Sequence, residues 1–367
     1  MVQCAQRAAR RVTRAAPVDR DDIQGIALHG YRSQRFARYH LLSFGAGDAR
    51  RVLARLVCDI SSAAEPRAAS RHNLALSVTG LRGLGLGERE LAQFSREFRQ
   101  GMAHPERAAA LGDAGDESPA SWEFGGPHSA PLDALWMTFA STQERLSELS
   151  QQREQLFERF GLAWQAHDAQ LAEPPAAPVA RAAGRSKRIP WGEFVLGYRD
   201  LLGQRSPGPF VPVKFSARPL PDWSRRQKAL DFGQNGSYLV LRKLQRNAEL
   251  SAAAHESCVA AHVRRALGPE QSLAHRLLRR SRSTHAGLWF MALNADIRRQ
   301  FEFVQQSYFN EPALHGQLPG VDPFVGRVPG RVADGSRHQL ALRLFRVRGG
   351  AYLFLPSVRA LNYLAEP

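Results

Sequence analysis

Residues 236–244 read GSYLVLRKL, residues 287–293 GLWFMAL and residues 351–356 AYLFLP. Each is an almost unbroken apolar run of strand length, the pattern of a strand covered on both faces rather than of a half-exposed hairpin. Between the last two, Asn294 is placed to cap a helix that carries Ile297, Phe301, Val304 and Tyr308 on one face. The first half of the chain repeats this style. Ile23–His29, Arg38–Phe44, Leu74–Thr79 and Asp133–Ala140 are short apolar runs that predict strands. Gly87–Met102, with Leu91, Phe94, Phe98 and Met102 at helical spacing, predicts a helix. A second helix is predicted from Ser141, with Glu144 completing a capping box, through Leu146, Leu149, Leu156 and Phe160. Strands joined by long helices in both halves make this an α+β chain with a sheet in each half.

Residues 172–188, AEPPAAPVARAAGRSKR, have no periodicity and read as a linker or surface loop. Residues 203–227 contain Pro207, Pro209, Pro212, Pro219 and Pro221, which exclude a long regular element there. The expected division is therefore 1–185 and 186–367. With 367 residues and 44% apolar composition, the chain has enough material for two cores.

The formal charge of +16 invites a nucleic-acid partner, but it is spread along the chain and nearly all arginine. The basic pairs Arg225-Arg226, Arg264-Arg265, Arg279-Arg280 and Arg298-Arg299 lack interleaved aromatic platforms. Specific nucleic-acid binding is not expected. No run approaches the ~20 apolar residues of a spanning helix, and no apolar segment follows Arg7, Arg10, Arg11 and Arg14 as in a secretory signal. The expectation is a cytoplasmic protein without a membrane partner, with self-association left open. Cys4, Cys58 and Cys258 are odd in number and far apart, neither a disulfide framework nor a metal pair, and mostly buried thiols are expected. No GxGxxG, P-loop, HExxH or GxSxG context is present.

Ten ordered segments resemble one family, the DyP-type (dye-decolorising) haem peroxidases. They include Leu81-Arg82-Gly83-Leu84-Gly85-Leu86, Phe98-Arg99-Gln100-Gly101-Met102, Gly192-Glu193-Phe194-Val195-Leu196-Gly197-Tyr198 and Asn235-Gly236-Ser237-Tyr238-Leu239-Val240. Asn294-Ala295-Asp296-Ile297 with Arg299-Gln300-Phe301-Glu302-Phe303, and Val347–Ser357, continue the series. The resemblance implies two ferredoxin-like α+β domains with antiparallel sheets, haem b held mainly by the second, and oxidation of organic donors by hydrogen peroxide.

Ala261-His262-Val263-Arg264-Arg265 is similar to the family's ligand segment, which makes His262 the implied iron ligand. His275–Ser283 is similar to the segment that supplies the distal arginine, which implies Arg279 as the catalytic, haem-contacting cation, with Arg280 as the alternative. Asp296 is either the carboxylate that holds the ligand's second ring nitrogen or a helix cap. The family's acid–base segment, GFRDGIS, would fall on 172–188, which contain no aspartate. Asp168 and Glu173 lie nearby but outside any matching motif. Losing one proton shuttle costs ~10²–10⁴-fold. The two expectations are therefore a peroxidase of reduced efficiency and a degenerate member that binds haem or a partner without efficient turnover.

Overall fold

The protein is described by a computed structural model over residues 18–65, 68–171, 189–206, 208–212, 222–224, 229–247, 262, 265–266, 273–311, 313–314, 318–319, 321–326 and 344–366. Nine strands form its principal sheet: β1 Phe36–Ser43, β2 Ser70–Leu76, β3 Ala134–Ala140, β4 Ala163–Gln170, β5 Ser237–Arg246, β6 Leu278–Arg279, β7 Arg282–Thr284, β8 Gly287–Asn294 and β9 Phe345–Leu355. Their order is β7-β4-β1-β3-β2-β9-β5-β8-β6, all antiparallel, and β7 also pairs with β8. The sheet therefore closes on itself through β7, which bonds β8 over three residue pairs and meets β4 at Ser283 and Gln170. At the opposite join, β2 meets β9 through Leu76 and Phe354. This is the α+β architecture expected from the sequence, with β1–β4 from the first half and β5–β9 from the second.

The unbroken apolar runs follow from burial on both faces. All seven residues of β3 are buried. Alternate side chains go to different cores. Tyr39, Leu135, Met137, Leu239, Leu241, Met291 and Leu353 share one core, while Leu42, Trp136, Val240, Leu244, Ala292 and Phe354 share the other with the helices. Gly287 starts β8 because a Cβ there would strike the carbonyl oxygen of Leu244 on the neighbouring strand.

Helix α1 (Gly25–Leu28) precedes β1, and α2 (Ala49–Leu56) follows it. Helix α3 (Gln143–Arg159) lies on β1, β3 and β4 through Leu146, Leu149 and Phe157. Helix α4 (Val358–Ala365) ends the chain and packs back on α2.

Several expectations change. Ile23–His29 is not a strand: Gln24 makes a single bridge to Ser62 and the following residues turn into α1. The run from Gly87 to Met102 is two short helices, Glu88–Leu91 and Arg96–Gln100, because Ser95 interrupts it and its side chain caps the second. The cap of α3 is Thr142, which accepts from the Arg145 amide, rather than Ser141. Cys58 is exposed; Cys4 and Cys258 lie outside the described residues. Among the described residues of the proline-rich stretch, three-residue strands form at Phe210–Pro212 and Asp222–Ser224, joined by Ala229–Asp231.

Candidate functional site

A cavity of about 610 Å³ opens on the helix-facing side of β5 and β8, in the size range of small-molecule and cofactor sites. Its floor follows from strand register. Leu244 pairs with Leu288 and Arg242 with Phe290, so these four side chains point to one face. Its roof is a π-helical stretch, Arg298–Glu302 and Val304–Phe309, which contributes Phe301, Gln305 and Phe309. Such wide turns are rare and cluster at functional sites. Gln300 fixes this roof: its Oε1 accepts from the Ala295 and Asp296 amides, and its Nε2 donates to the carbonyls of Glu193 and Arg276.

His262 stands on the wall of this cavity. Its ring stacks on Phe324 at 4.3 Å between centroids and 8° between planes, and Phe309 lies 5.0 Å away. Its Nδ1 lies 2.9 Å from Oδ2 of the fully buried Asp322. A carboxylate can only accept here, so in the neutral ring Nδ1 carries the proton and Nε2 bears the lone pair. Asp322 is itself fixed, because its Oδ1 accepts the amides of Phe324 and Val325. Arg265, one turn on from His262, is buried and donates to the carbonyls of Tyr308 and Glu311, tying this segment to the end of the roof.

The carboxylate beside His262 is thus Asp322, not Asp296. Asp296 is the cap: its Oδ1 accepts from the Arg299 amide, and it does not line the cavity. Asp322 sits 60 residues from His262 in a turn before Pro323, and no periodicity marks it. Its one local signal is an aspartate preceding proline, a common turn former.

Arg279 and Arg280 both line the cavity, and their surroundings separate them. Arg280 spends its guanidinium on the backbone carbonyls of Ile26, Ala27 and Arg279. Arg282 does the same with Tyr31 and Arg35, its guanidinium 4.8 Å from the Phe139 ring centroid. Arg279 has no side-chain hydrogen bond or ion pair among the described residues. Its side chain is open to the cavity yet walled in by protein, and this burial lowers its pKa. Burial also pushes Arg280 down, to about 10, and lowers Arg282. All three remain cations at neutral pH.

The wall holds six arginines, Arg32, Arg242, Arg276, Arg279, Arg280 and Arg282, and no carboxylate among the described lining residues. Among the described residues, Arg242 alone of the six is in an ion pair, a buried one with Asp113. Apart from His262, Ser281 and Gln305, the remaining side chains of the lining are aliphatic and aromatic, including Leu277, Leu288, Phe290, Phe301 and Val325. Asp168 plays no part, since it lies on β4 in an ion pair with Arg38 at 2.6 Å. Residues 172–188, with Glu173, lie outside the described residues.

One imidazole supplies one metal ligand, and no group of three or more His, Cys, Asp or Glu among the described residues could hold a bare ion. An iron bound here would need its other ligands from a macrocycle. The flat apolar walls, the cationic lining and the single oriented imidazole fit an iron porphyrin with carboxylate substituents. A second concavity, about 720 Å³ and lined by Asp21, Cys58, Glu65 and Glu366, has neither an imidazole nor a cation on its wall.

No family model matches the chain. In sequence it is 36% identical over 92 residues to the multifunctional dye peroxidase DyP2 of Amycolatopsis sp., a match that spans 21% of this chain and 20% of that protein. In structure it is similar to an ancestral D-type dye-decolorising peroxidase, with a TM-score of 0.69 and 16% identity over 96% of this chain and 100% of that one. A dye-decolorising peroxidase of Auricularia auricula-judae gives 0.66 and 16% over 95% and 100%, and a DyP-type peroxidase of Anabaena sp. 0.63 and 16% over 94% of each.

Proposed function

We propose that this chain is a haem-dependent peroxidase of the dye-decolorising type that oxidises small organic donors with hydrogen peroxide, a reading supported by the sequence match and by the fold. The observation that carries the reading is His262, held by Asp322 on the wall of the arginine-lined cavity with one ring nitrogen uncommitted. Haem b, when bound, supplies the iron that takes up peroxide and the electrons that reduce it.

The residues have separate tasks in this reading. His262 would hold the iron through its second ring nitrogen, and Asp322 would keep the imidazole in one tautomer and strengthen it as a donor. Arg279, whose guanidinium, unlike that of Arg280, has no side-chain hydrogen bond among the described residues, stabilises negative charge on the departing peroxide oxygen. As a permanent cation it does so without giving up a proton. Phe290, Phe301 and Leu288 exclude water from the flat faces of the ligand. Because no carboxylate lines the cavity among the described residues, the proton that moves between the peroxide oxygens is assigned to water beside Arg279. Turnover should then be slower than with a carboxylate shuttle by ~10²–10⁴-fold.

The test is reconstitution of the purified protein with ferric protoporphyrin IX. A Soret band, and peroxide-dependent dye oxidation at a low rate, are expected. If no Soret band develops, the proposal fails.

A further inference from the structure

Of the guanidiniums on the cavity wall, Arg242 is in an ion pair with Asp113, and Arg280 and Arg282 are fixed by backbone carbonyls. Arg32, Arg276 and Arg279 are left, three cations against the two carboxylates of haem b. Arg32 lies exposed in the loop between α1 and β1. Arg279 is the enclosed one. Burial is the single influence that shifts its pKa, with no nearby charge and no hydrogen bond adding to it. None of the N–H donors of its guanidinium meets an acceptor among the described residues, and a peroxide oxygen uses only part of that set. Room for a second small anion therefore remains beside the reacting oxygen. This is the point where a proton has to be moved, and the described wall supplies no carboxylate there. A carboxylate suits the place, because it can accept from a guanidinium and still present a lone pair to a neighbouring hydroxyl. An enclosed cation without a partner is also costly, and an anion beside it relieves that cost.

We propose that Arg279 binds a carboxylate from solution, and that this carboxylate is the proton shuttle of the peroxide step. The inference rests on the peroxidase reading above, whose water-assisted rate is then the rate without the carboxylate. A carboxylate oxygen takes the proton of one peroxide oxygen. The O–O bond breaks with its electron pair on the other oxygen, which receives the same proton and leaves as water. The two electrons that the retained oxygen requires come from the bound haem. The carboxylate ends unchanged, so either a free acid or a carboxylate borne by the organic donor can perform the task.

The experiment assays the reconstituted full chain at limiting peroxide, where kcat/KM for peroxide reports this step rather than donor oxidation. With the neutral donor methyl 3-(4-hydroxyphenyl)propionate, formate should raise this constant saturably by about 10–100-fold. That is less than a built-in shuttle provides, because the free anion is not held in position beforehand. Chloride, an anion of negligible basicity, should compete with formate without accelerating the step. The free acid of the same donor separates the two sources. It should reach the activated rate unaided where its own carboxylate serves, and should need formate, as the ester does, where a free acid serves. Formate should also bind the ferric protein without peroxide, read as a saturable shift of the Soret band. R279Q should lose both the shift and the activation, whereas R32Q, at an exposed position, should keep them. A peroxide constant that formate leaves unmoved or lowers, and that is equal for acid and ester, overturns the inference and leaves the haem reading standing. Equal acceleration by chloride overturns it as well, as a general salt effect. Activation that persists in a porphyrin-binding R279Q, or that vanishes in R32Q, overturns the assigned residue. Absence of any Soret band overturns both readings.

Discussion

The two halves of the closed sheet carry the same strand-and-cover plan, yet one is filled and the other is hollow. Over β1, β3 and β4 the cover is α3, a regular 17-residue helix whose Leu146, Leu149 and Phe157 press into the sheet. Over β5 and β8 the cover is the π-helical stretch 298–309, and a cavity of about 610 Å³ remains beneath it. The imidazoles follow the same divide. Under α3, His72 stacks on Trp136 at 5.3 Å, and His40 meets Glu154 at 2.9 Å. In the hollow half, His262 has one nitrogen bonded and one open. Packing buries the imidazoles where the cover is regular, and leaves one facing a cavity where it is not.

The largest expected effect breaks the hollow half alone. H262A should abolish the Soret band of the reconstituted protein while leaving the thermal unfolding of the porphyrin-free chain close to wild type, because the side chain borders open space. Removing a filled position should do the reverse. F157A deletes a fully buried ring and should cost about 3–5 kcal/mol of stability in denaturant unfolding, with the Soret maximum unmoved. R279A returns to the cavity and should lower peroxide-dependent turnover by about 10²–10³-fold with unchanged porphyrin affinity, measured by steady-state kinetics and titration.

Acid should separate the halves as well. Burial lowers His72 to about 4, the neighbouring Arg153 adding to the shift, and it also lowers His40 despite the Glu154 contact. Both are neutral when folded and take up protons more readily when unfolded. Their contribution is complete above the ordinary histidine value near 6.5 and is lost as pH falls from there toward 4. The loss for His72 approaches about 3 kcal/mol and should vanish in H72Q, read by urea unfolding across that window. The smallest effect is D322N, which keeps the shape but weakens the hold on His262. A loss of about 10–100-fold in porphyrin affinity is expected, without loss of fold.

Strands were legible in the sequence wherever burial on both faces produced a continuous apolar run, as in 287–293. The same rule misled at 23–29, because a short apolar run does not by itself distinguish a strand from a buried helical turn. Tertiary bonds decide that segment: the Gln24 side chain donates to the carbonyls of Leu74 and Pro356. At Ser95 the capping hydroxyl overrode a helical period that looked continuous. In the site, His262 and Arg279 are singled out by their ordered motifs, and both line the cavity. Asp322 could not, since its role depends on a turn bringing it across 60 residues, and turn geometry leaves almost no trace in composition. Asp296 shows the converse, a residue inside a matching motif whose carboxylate is spent on the helix it begins.

The ring of strands leaves few exposed backbone edges to recruit another chain, and β7 is its clasp. That clasp meets β4 at a single residue pair and also carries Arg282, whose guanidinium reaches across to the carbonyls of Tyr31 and Arg35. The same few residues therefore fasten the circle and form part of the chamber wall. Damage at this point would both unseal the chamber and uncover strand edges, so faulty ligand retention and self-aggregation should arise together in one class of mutant.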